Sequence, residues 1–386
     1  MRIGIFSECY HPVLNGVVIS IDTFKDELEK RGHKFFIFTT QCPGNNEQNP
    51  HIKRFPCMIP FPPKGGRYPI SWPRLARVEA GKISHLNLDL IHSQHLLGLG
   101  HLGLKIGKVL RIPTILTYHT LLAEYTHYVP LFGSLVRAYL ISQSRQISNQ
   151  YDQIVTPSPS MKKILRDYGV RRPIEAIPTG VNVNDFQKPI SRKELESKWQ
   201  IPQKAKLLLY VSRIAREKNV DFLLEAVRQL TGKRKDFYLL LIGGGPELEE
   251  FRKMVAGWRL EKRIVFTDML PKKETNRYYG AADIFVFPSI TETQGIVITE
   301  AMAAGIPAVA INIMGPSDLI QDGVDGFLVP LKLEPFRAKI EGLLDDESLR
   351  QKMGKKARQN AQKFSVETSA DKMEGLYEKV SSNHRP

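Results

Sequence analysis

The stretch Thr291-Glu292-Thr293-Gln294-Gly295-Ile296-Val297-Ile298-Thr299-Glu300 sets two carboxylates on either side of a glycine, with seven residues between them. Before it stands Asp283-Ile284-Phe285-Val286-Phe287-Pro288, a buried-strand pattern closed by proline, and after it the small-residue run Glu300-Ala301-Met302-Ala303-Ala304-Gly305, a helix pattern that stops at glycine. The order is strand, loop, helix. Ligands of an α/β sheet bind at the carboxyl ends of its strands, so Glu292 is expected in a ligand-facing loop and Glu300 about two turns into the helix. Amides at Gln294, Gly295 and Ile296 would face an anion at the helix start. Two hydroxyl-binding carboxylates beside such a helix end describe a sugar-diphosphate site. A solvated Glu292 and an ordinary helix salt bridge at Glu300 fit the spacing equally well.

Working outward, strands are expected at residues 2–6, 34–39, 88–92, 113–118, 153–157 and 174–178, with a helix over 17–31, so the amino half reads as a parallel α/β sheet. After Ile177-Pro178-Thr179-Gly180 the chain turns polar and restarts with Lys206-Leu207-Leu208-Leu209-Tyr210-Val211, which places a boundary near residue 185. The second half repeats the pattern with strands at 206–211, 237–242, 264–266, 283–287 and 308–311. A closing helix is expected over 367–380. A chain of 386 residues is long enough for two domains of ordinary size.

Composition narrows the classes. With 42% hydrophobic and 25% charged residues the chain is globular, and no apolar run nears the ~20 residues a membrane helix needs. The amino terminus passes at once into a strand, without the pattern of a secretion signal, so a cytoplasmic location is expected. Cys9, Cys42 and Cys57 lack metal-ligand spacing and fit reduced thiols. The net charge of +15 implies an anionic partner. Residues 1–185 hold 22 Lys and Arg against 13 Asp and Glu. The densest stretch, 53–82, carries Lys53, Arg54, Lys64, Arg67, Arg74, Arg77 and Lys82 against Glu79 alone, interleaved with Phe55, Ile59, Phe61, Tyr68, Ile70 and Trp72. Cations alternating with rings suit an anionic membrane interface, while a basic surface loop with its rings folded inward fits the same pattern. No RNA-binding or helix-turn-helix signature accompanies the charge, so no nucleic-acid partner is expected.

Four further segments carry candidate chemistry. Ser212-Arg213-Ile214-Ala215-Arg216-Glu217-Lys218 follows a strand, so Arg213 and Lys218 can neutralise a leaving diphosphate, with Arg216 as competitor and a solvated loop as the alternative. Ile242-Gly243-Gly244-Gly245-Pro246-Glu247 reads as a strand, a glycine turn and a helix with Pro246 at its first position; it admits a phosphate or nucleoside, or is a plain tight turn, and lacks the dinucleotide spacing. Asn15-Gly16-Val17 opens the first helix, where Gly16 leaves room for a ligand backed by helix amides, or simply makes a turn. Thr117-Tyr118-His119-Thr120 ends a strand, which puts His119 in a ligand-facing or a structural position. The chain contains no Asp-x-Asp tripeptide, so diphosphate charge is expected to be met by protein cations and helix amides, without metal or other cofactor.

The Glu292 to Glu300 run resembles the E-x7-E signature of the retaining glycosyltransferases of family four, and the resemblance extends over nearly the whole chain. It implies the α/β GT-B fold, two Rossmann-like doubly wound domains facing across a cleft: residues 1–185 for acceptor and membrane contact, 186–365 for the nucleotide sugar, and 366–386 a helix packing back across the junction. Tyr118-His119-Thr120, the following Tyr125-Thr126-His127-Tyr128 and the Glu292-Thr293-Gln294-Gly295 wording are similar to diacylglycerol glucosyltransferases. By that resemblance Glu300 binds ribose hydroxyls and Glu292 a sugar hydroxyl. The amides of Gln294, Gly295, Ile296 and Val297 hold sugar and phosphate, Arg213 and Lys218 stabilise departing UDP, Gly16 lies against the diphosphate, and His119 orients the sugar. Lys64, Arg67, Tyr68, Trp72 and Arg74, with Tyr125, His127 and Tyr128, would meet membrane and acceptor. The implied partners are UDP-glucose, a lipid acceptor and the anionic inner face of the cell membrane, with the enzyme peripherally attached. GDP-mannose or an amino-sugar donor, acting on phosphatidylinositol, a polyprenyl carrier or a soluble glycan, is the alternative within the family; a basic nucleic-acid-binding α/β protein is the alternative outside it. No carboxylate is placed beneath the anomeric carbon, which favours front-face attack over a covalent intermediate.

Overall fold

Leu207-Leu208-Leu209-Tyr210 and Ile284-Phe285-Val286-Phe287 are apolar throughout, and each of these side chains is buried. Strands covered on both faces need helices above and below, the condition of a parallel α/β sheet. The computed structural model describes residues 1–41, 47–59, 70–71, 74–121, 123 and 133–384, and it contains two such sheets. One compact unit comprises Met1–Gly180 with Val366–Pro386, and the other Val181–Ser365.

The first unit runs β1 (Arg2–Phe6), α1 (Gly16–Lys30), β2 (Lys34–Thr40), β3 (Ile52–Phe55), β4 (Cys57–Ile59), β5 (Ile70–Ser71), α2 (Ala76–Ile83), β6 (Leu90–Ser93), α3 (Leu99–Leu110), β7 (Thr114–Thr117), α4 (Gly133–Ser148), β8 (Gln153–Thr156), α5 (Pro159–Asp167) and β9 (Ile174–Ala176). Its seven-stranded sheet has the order β3-β2-β1-β6-β7-β8-β9, parallel throughout, and β4 and β5 form a separate antiparallel pair. Strand order reverses at β1/β6, where Ile3 pairs with Phe35 on one side and Leu90 on the other. Helix α1 is capped by Asn15 and buries Val17, Val18, Ile21, Phe24 and Leu28, one face at helical spacing.

The second unit runs α6 (Arg192–Trp199), β10 (Lys206–Val211), α7 (Val220–Thr231), β11 (Phe237–Ile242), α8 (Leu248–Gly257), β12 (Ile264–Phe266), α9 (Lys272–Tyr279), β13 (Ile284–Phe287), α10 (Ile296–Ala304), β14 (Ala308–Ile311), α11 (Pro316–Leu319), β15 (Gly326–Val329), α12 (Leu333–Asp345) and α13 (Glu347–Ala361). Its sheet order is β12-β11-β10-β13-β14-β15, all parallel, so counting from β10 the strands stand 3-2-1-4-5-6. The reversal lies between β10 and β13.

The last helix, α14 (Val366–His384), completes the first unit. Ala370, Met373, Leu376, Tyr377 and Val380 share a core with Val18, Ile21, Phe24 and Leu28 of α1. Arg31 at the end of α1 bonds Asp371 at 2.7 Å and Glu374 at 2.8 Å, and His33 meets Glu374 at 2.8 Å. Fully burying side chains of this size stabilises the docking by roughly 1.5–3 kcal/mol each, more than exposed ion pairs contribute.

Candidate active site

At the reversal point of the second sheet, the loops leaving β10 and β13 lie side by side. Ser289 and Thr291 direct their hydroxyls at the Glu217 carbonyl (3.4 and 3.3 Å), and Asn219, in left-handed conformation with φ of 56°, donates to the Pro288 carbonyl at 3.1 Å. Pinned this way, Lys218 Nζ stands 2.8 Å from Glu292 Oε2, with the two side chains 17% and 18% exposed. Arg213 reaches Glu217 within the β10 loop and keeps about half its side chain, 53%, in solvent. Arg216 is 83% exposed and 3.9 Å from Glu247.

The glycine turn after β11 supports this loop by close backbone approach. A Cβ on Gly243 would lie 1.9 Å from the Ser212 carbonyl oxygen, and one on Gly245 1.9 Å from that of Ile214. Ile214 N donates to the Gly244 carbonyl at 2.9 Å. The glycines therefore make room for the Arg213 segment. Helix α8 begins at Leu248, which corrects the expectation of Pro246 at its first position: Pro246 lies in the turn, two residues earlier.

Gly295, with φ of +88°, turns the chain from the Glu292 loop into α10, and no side chain caps that helix. The first-turn amides of Ile296 and Val297 accordingly lack a side-chain acceptor within the cap. Because α10 starts at Ile296, Glu300 lies little more than one turn into it, a correction to the two turns expected from the spacing. Its side chain is 5% exposed and bonds Lys272 Nζ at the start of α9. Tyr279, at the other end of α9, is fully buried, and burial together with the neighbouring Glu300 pushes its hydroxyl well above the ordinary tyrosine range. Gln294 is buried at 4% exposure.

In the first unit, Gly16 is the first residue of α1, and a Cβ there would meet nothing within 4 Å. The amides behind it are not free: Asn15 Oδ1 accepts from Val17 N and Val18 N at 3.0 Å each, which corrects the expectation of an open helix start. His119 follows β7 and is half-buried, with Nε2 2.8 Å from Oε1 of the buried Gln94 at the end of β6. An amide oxygen only accepts, so Nε2 carries the proton and Nδ1 is left as the acceptor. Burial, then the neighbouring His95 and His92, holds the His119 pKa well below the usual histidine range, so the ring is neutral at physiological pH. Beneath it, His92 joins Tyr377 Oη at 2.7 Å to Thr117 Oγ1 at 2.6 Å, tying α14 to β6 and β7.

Of the membrane and acceptor candidates, Lys64, Arg67, Tyr68, Trp72, Tyr125, His127 and Tyr128 lie outside the described residues. Arg74 is described, and it faces inward: it bonds the buried Glu79 at 2.9 Å and stacks 4.8 Å over the Phe55 ring. Lys82 also reaches Glu79, at 3.1 Å.

Sequence reading passed over Glu217, Lys272, Tyr279 and Gln94. Glu217 had a signal, four residues after Arg213 in the same loop. Gln94 had a weaker one, a polar residue just past the apolar strand Leu90-Ile91. Lys272 had none, since its meeting with Glu300 depends on how α9 packs.

Comparison with known proteins adds the identity. The profile described as Glycosyltransferase Family 4 matches residues 14–185, and that of Glycosyl transferases group 1 matches residues 191–360. The alpha-monoglucosyldiacylglycerol synthase of Streptococcus pneumoniae is 36% identical over 85% of this chain and 75% of its own length. The synthase of the same name from Acholeplasma laidlawii is 30% identical over 98% of this chain and 96% of its own. In structure, the sucrose-phosphate synthase of Thermosynechococcus elongatus superposes with a TM-score of 0.78 at 24% identity, covering 99% of each chain, and shares the fold. Two Rossmann-ordered sheets, the carboxylate loop between β13 and α10 and this agreement along almost the full length together place the chain in glycosyltransferase family 4, as an enzyme of the GT-B fold that transfers sugar.

Proposed function

We propose that this glycosyltransferase moves glucose from UDP-glucose to the free hydroxyl of diacylglycerol, with retention at the anomeric carbon, at the cytoplasmic face of an anionic membrane. The observation that carries the reading is the 2.8 Å contact of Lys218 with Glu292, which fixes a cation and a hydroxyl acceptor side by side at the strand-order reversal of the second unit. Lys218 and Arg213 offset the charge that develops on departing UDP, and the Ile296 and Val297 amides add to them. Glu292 accepts from a sugar hydroxyl and Glu300 from the ribose. Arginine, lysine and amides together suffice for the diphosphate, so transfer runs without a divalent ion.

In the reaction the bond from the anomeric carbon to the β-phosphate oxygen breaks and a bond to the acceptor oxygen forms on the same face. The acceptor's proton passes to the departing phosphate oxygen. Glu292 is engaged by Lys218, which argues against it as a covalent nucleophile and for front-face attack. The lipid acceptor is supported by the two relatives named as alpha-monoglucosyldiacylglycerol synthases. Membrane contact is supported by a groove between α2 and α3, where Leu75 (75% exposed), Val78 and Val109 stand among the exposed cations Arg77, Lys105 and Lys108. Among the described residues no helix is long and apolar enough to cross a membrane.

The test is transfer by purified enzyme from a panel of radiolabelled nucleotide sugars to diacylglycerol in anionic mixed micelles, with and without EDTA. Label in lipid from UDP-glucose, undiminished by EDTA, is expected. Preferential labelling from GDP-mannose, or abolition by EDTA, would overturn the donor or the metal-free part of the proposal.

A further inference from the structure

Helix α9 opens with Lys272 and closes with Tyr279, seven residues apart, a spacing of two turns that brings both side chains to one face. Both meet Glu300. Lys272 Nζ donates to Glu300 Oε1, and the Tyr279 hydroxyl, in a fully buried ring, faces the same carboxylate. Glu300 is 5% exposed whereas Lys272 is 51% exposed, so the lysine brings its charge in from the solvent edge to a carboxylate that water hardly reaches. A carboxylate so enclosed needs a cation to offset its lost hydration, and one meant to accept from two neighbouring hydroxyls needs its plane fixed.

We infer that α9 positions Glu300: Lys272 and Tyr279 hold its carboxylate in the orientation that reads the ribose hydroxyls, so ribose discrimination depends on α9 as well as on Glu300. The inference rests on the reading of Glu300 as the ribose-binding group. Lys272 is a positioning residue here, acting through Glu300 without touching the nucleotide.

The experiment is calorimetric titration of wild type, Lys272→Met, Lys272→Arg and Tyr279→Phe with UDP and with 2′,3′-dideoxy-UDP, each variant checked for an unchanged melting curve. Wild type is expected to prefer UDP by about ten- to hundredfold, the range of hydrogen bonds to a charged group. Lys272→Met should reduce that preference to about threefold or less by weakening UDP alone, Tyr279→Phe should reduce it by a smaller factor, and Lys272→Arg should retain most of it. Equal weakening of both nucleotides by Lys272→Met would place Lys272 on the base or diphosphate and overturn the inference. Unchanged or tighter UDP binding would overturn it too, making the lysine a bystander or a competitor. If wild type binds both nucleotides equally, the ribose role of Glu300 fails first and takes the inference with it.

Discussion

Replacing Lys218 by alanine removes one of the two cations assigned to the departing diphosphate, and the structure allows the effect to be sized. Its Nζ lies 2.8 Å from Glu292 Oε2 and 5.9 Å from the centre of the Phe287 ring, with 17% of the side chain exposed. Two unit charges about 4 Å apart interact by about 4 kcal/mol at the effective dielectric of a partly buried site. Losing such a contact in the transition state should cost about 3–4 kcal/mol, or a 10²- to 10³-fold drop in kcat. The folded state should suffer less. Glu292 remains 18% exposed and can recover water, so the expected loss is about 1–2 kcal/mol, between the values for surface and buried pairs. Lys218→Ala combined with Glu292→Gln separates the two effects, since it removes the orphaned charge and should restore stability while turnover stays low. The assay pairs initial rates of UDP release from UDP-glucose with urea unfolding of wild type and of both variants. A kcat for Lys218→Ala within threefold of wild type, or a loss that vanishes in the double variant, would refute the reasoning.

Three further outcomes are expected. His92 is 2% exposed and burial pushes its pKa down to about 3, so below pH 6.5 the unfolded chain binds a proton that the folded chain refuses; lowering the pH from 7 to 5 should cost about 2 kcal/mol, and urea unfolding of His92→Gln should lack this increment, equal pH slopes being the contrary result. Gly245→Ala places a Cβ 1.9 Å from the Ile214 carbonyl oxygen and should cost about 1–3 kcal/mol together with UDP affinity, whereas Gly257→Ala, with nothing within 4 Å, should leave UDP binding unaltered; the same calorimetric behaviour from both would contradict the close approach. Glutamate at both Leu75 and Val78 should reduce sedimentation with anionic liposomes while leaving UDP affinity intact, and unchanged sedimentation would remove the α2–α3 groove from the membrane contact. Arg74 is unsuited to that purpose, because it faces inward and shares the buried Glu79 carboxylate with Lys82.

What the sequence disclosed follows the physics of burial. β10, β11, β13 and β14 appear in the chain as largely apolar or small-residue runs, legible because both faces of a central parallel strand are covered. The two strands of the large sheets that escaped notice, β3 and β15, are both edges. β3 carries Lys53 and Arg54 in four residues, and β15 is only Gly326-Phe327-Leu328-Val329; edge strands need no continuous apolar run, and charge protects them from further pairing. At the site, the rule that ligands gather at strand carboxyl ends located Arg213, Lys218, Glu292 and His119 in their loops, since each lies next to a strand that can be read. Their partners were not so accessible. Gln94 meets His119 across 25 residues and Lys272 meets Glu300 across 28, pairings that arise from sheet order and helix packing. The helix start at α1 failed for a local reason: Asn15, a strong cap, consumes the amides that an anion would have used.

The most direct test of the central claim is the anomeric configuration of the product. Enzyme given UDP-glucose carrying 13C at the anomeric carbon, with diacylglycerol in anionic micelles, should yield a glucosyl lipid whose NMR spectrum shows the α configuration of the donor. A β-linked lipid would contradict retention and front-face attack, and release of free glucose without any glycolipid would contradict the lipid acceptor.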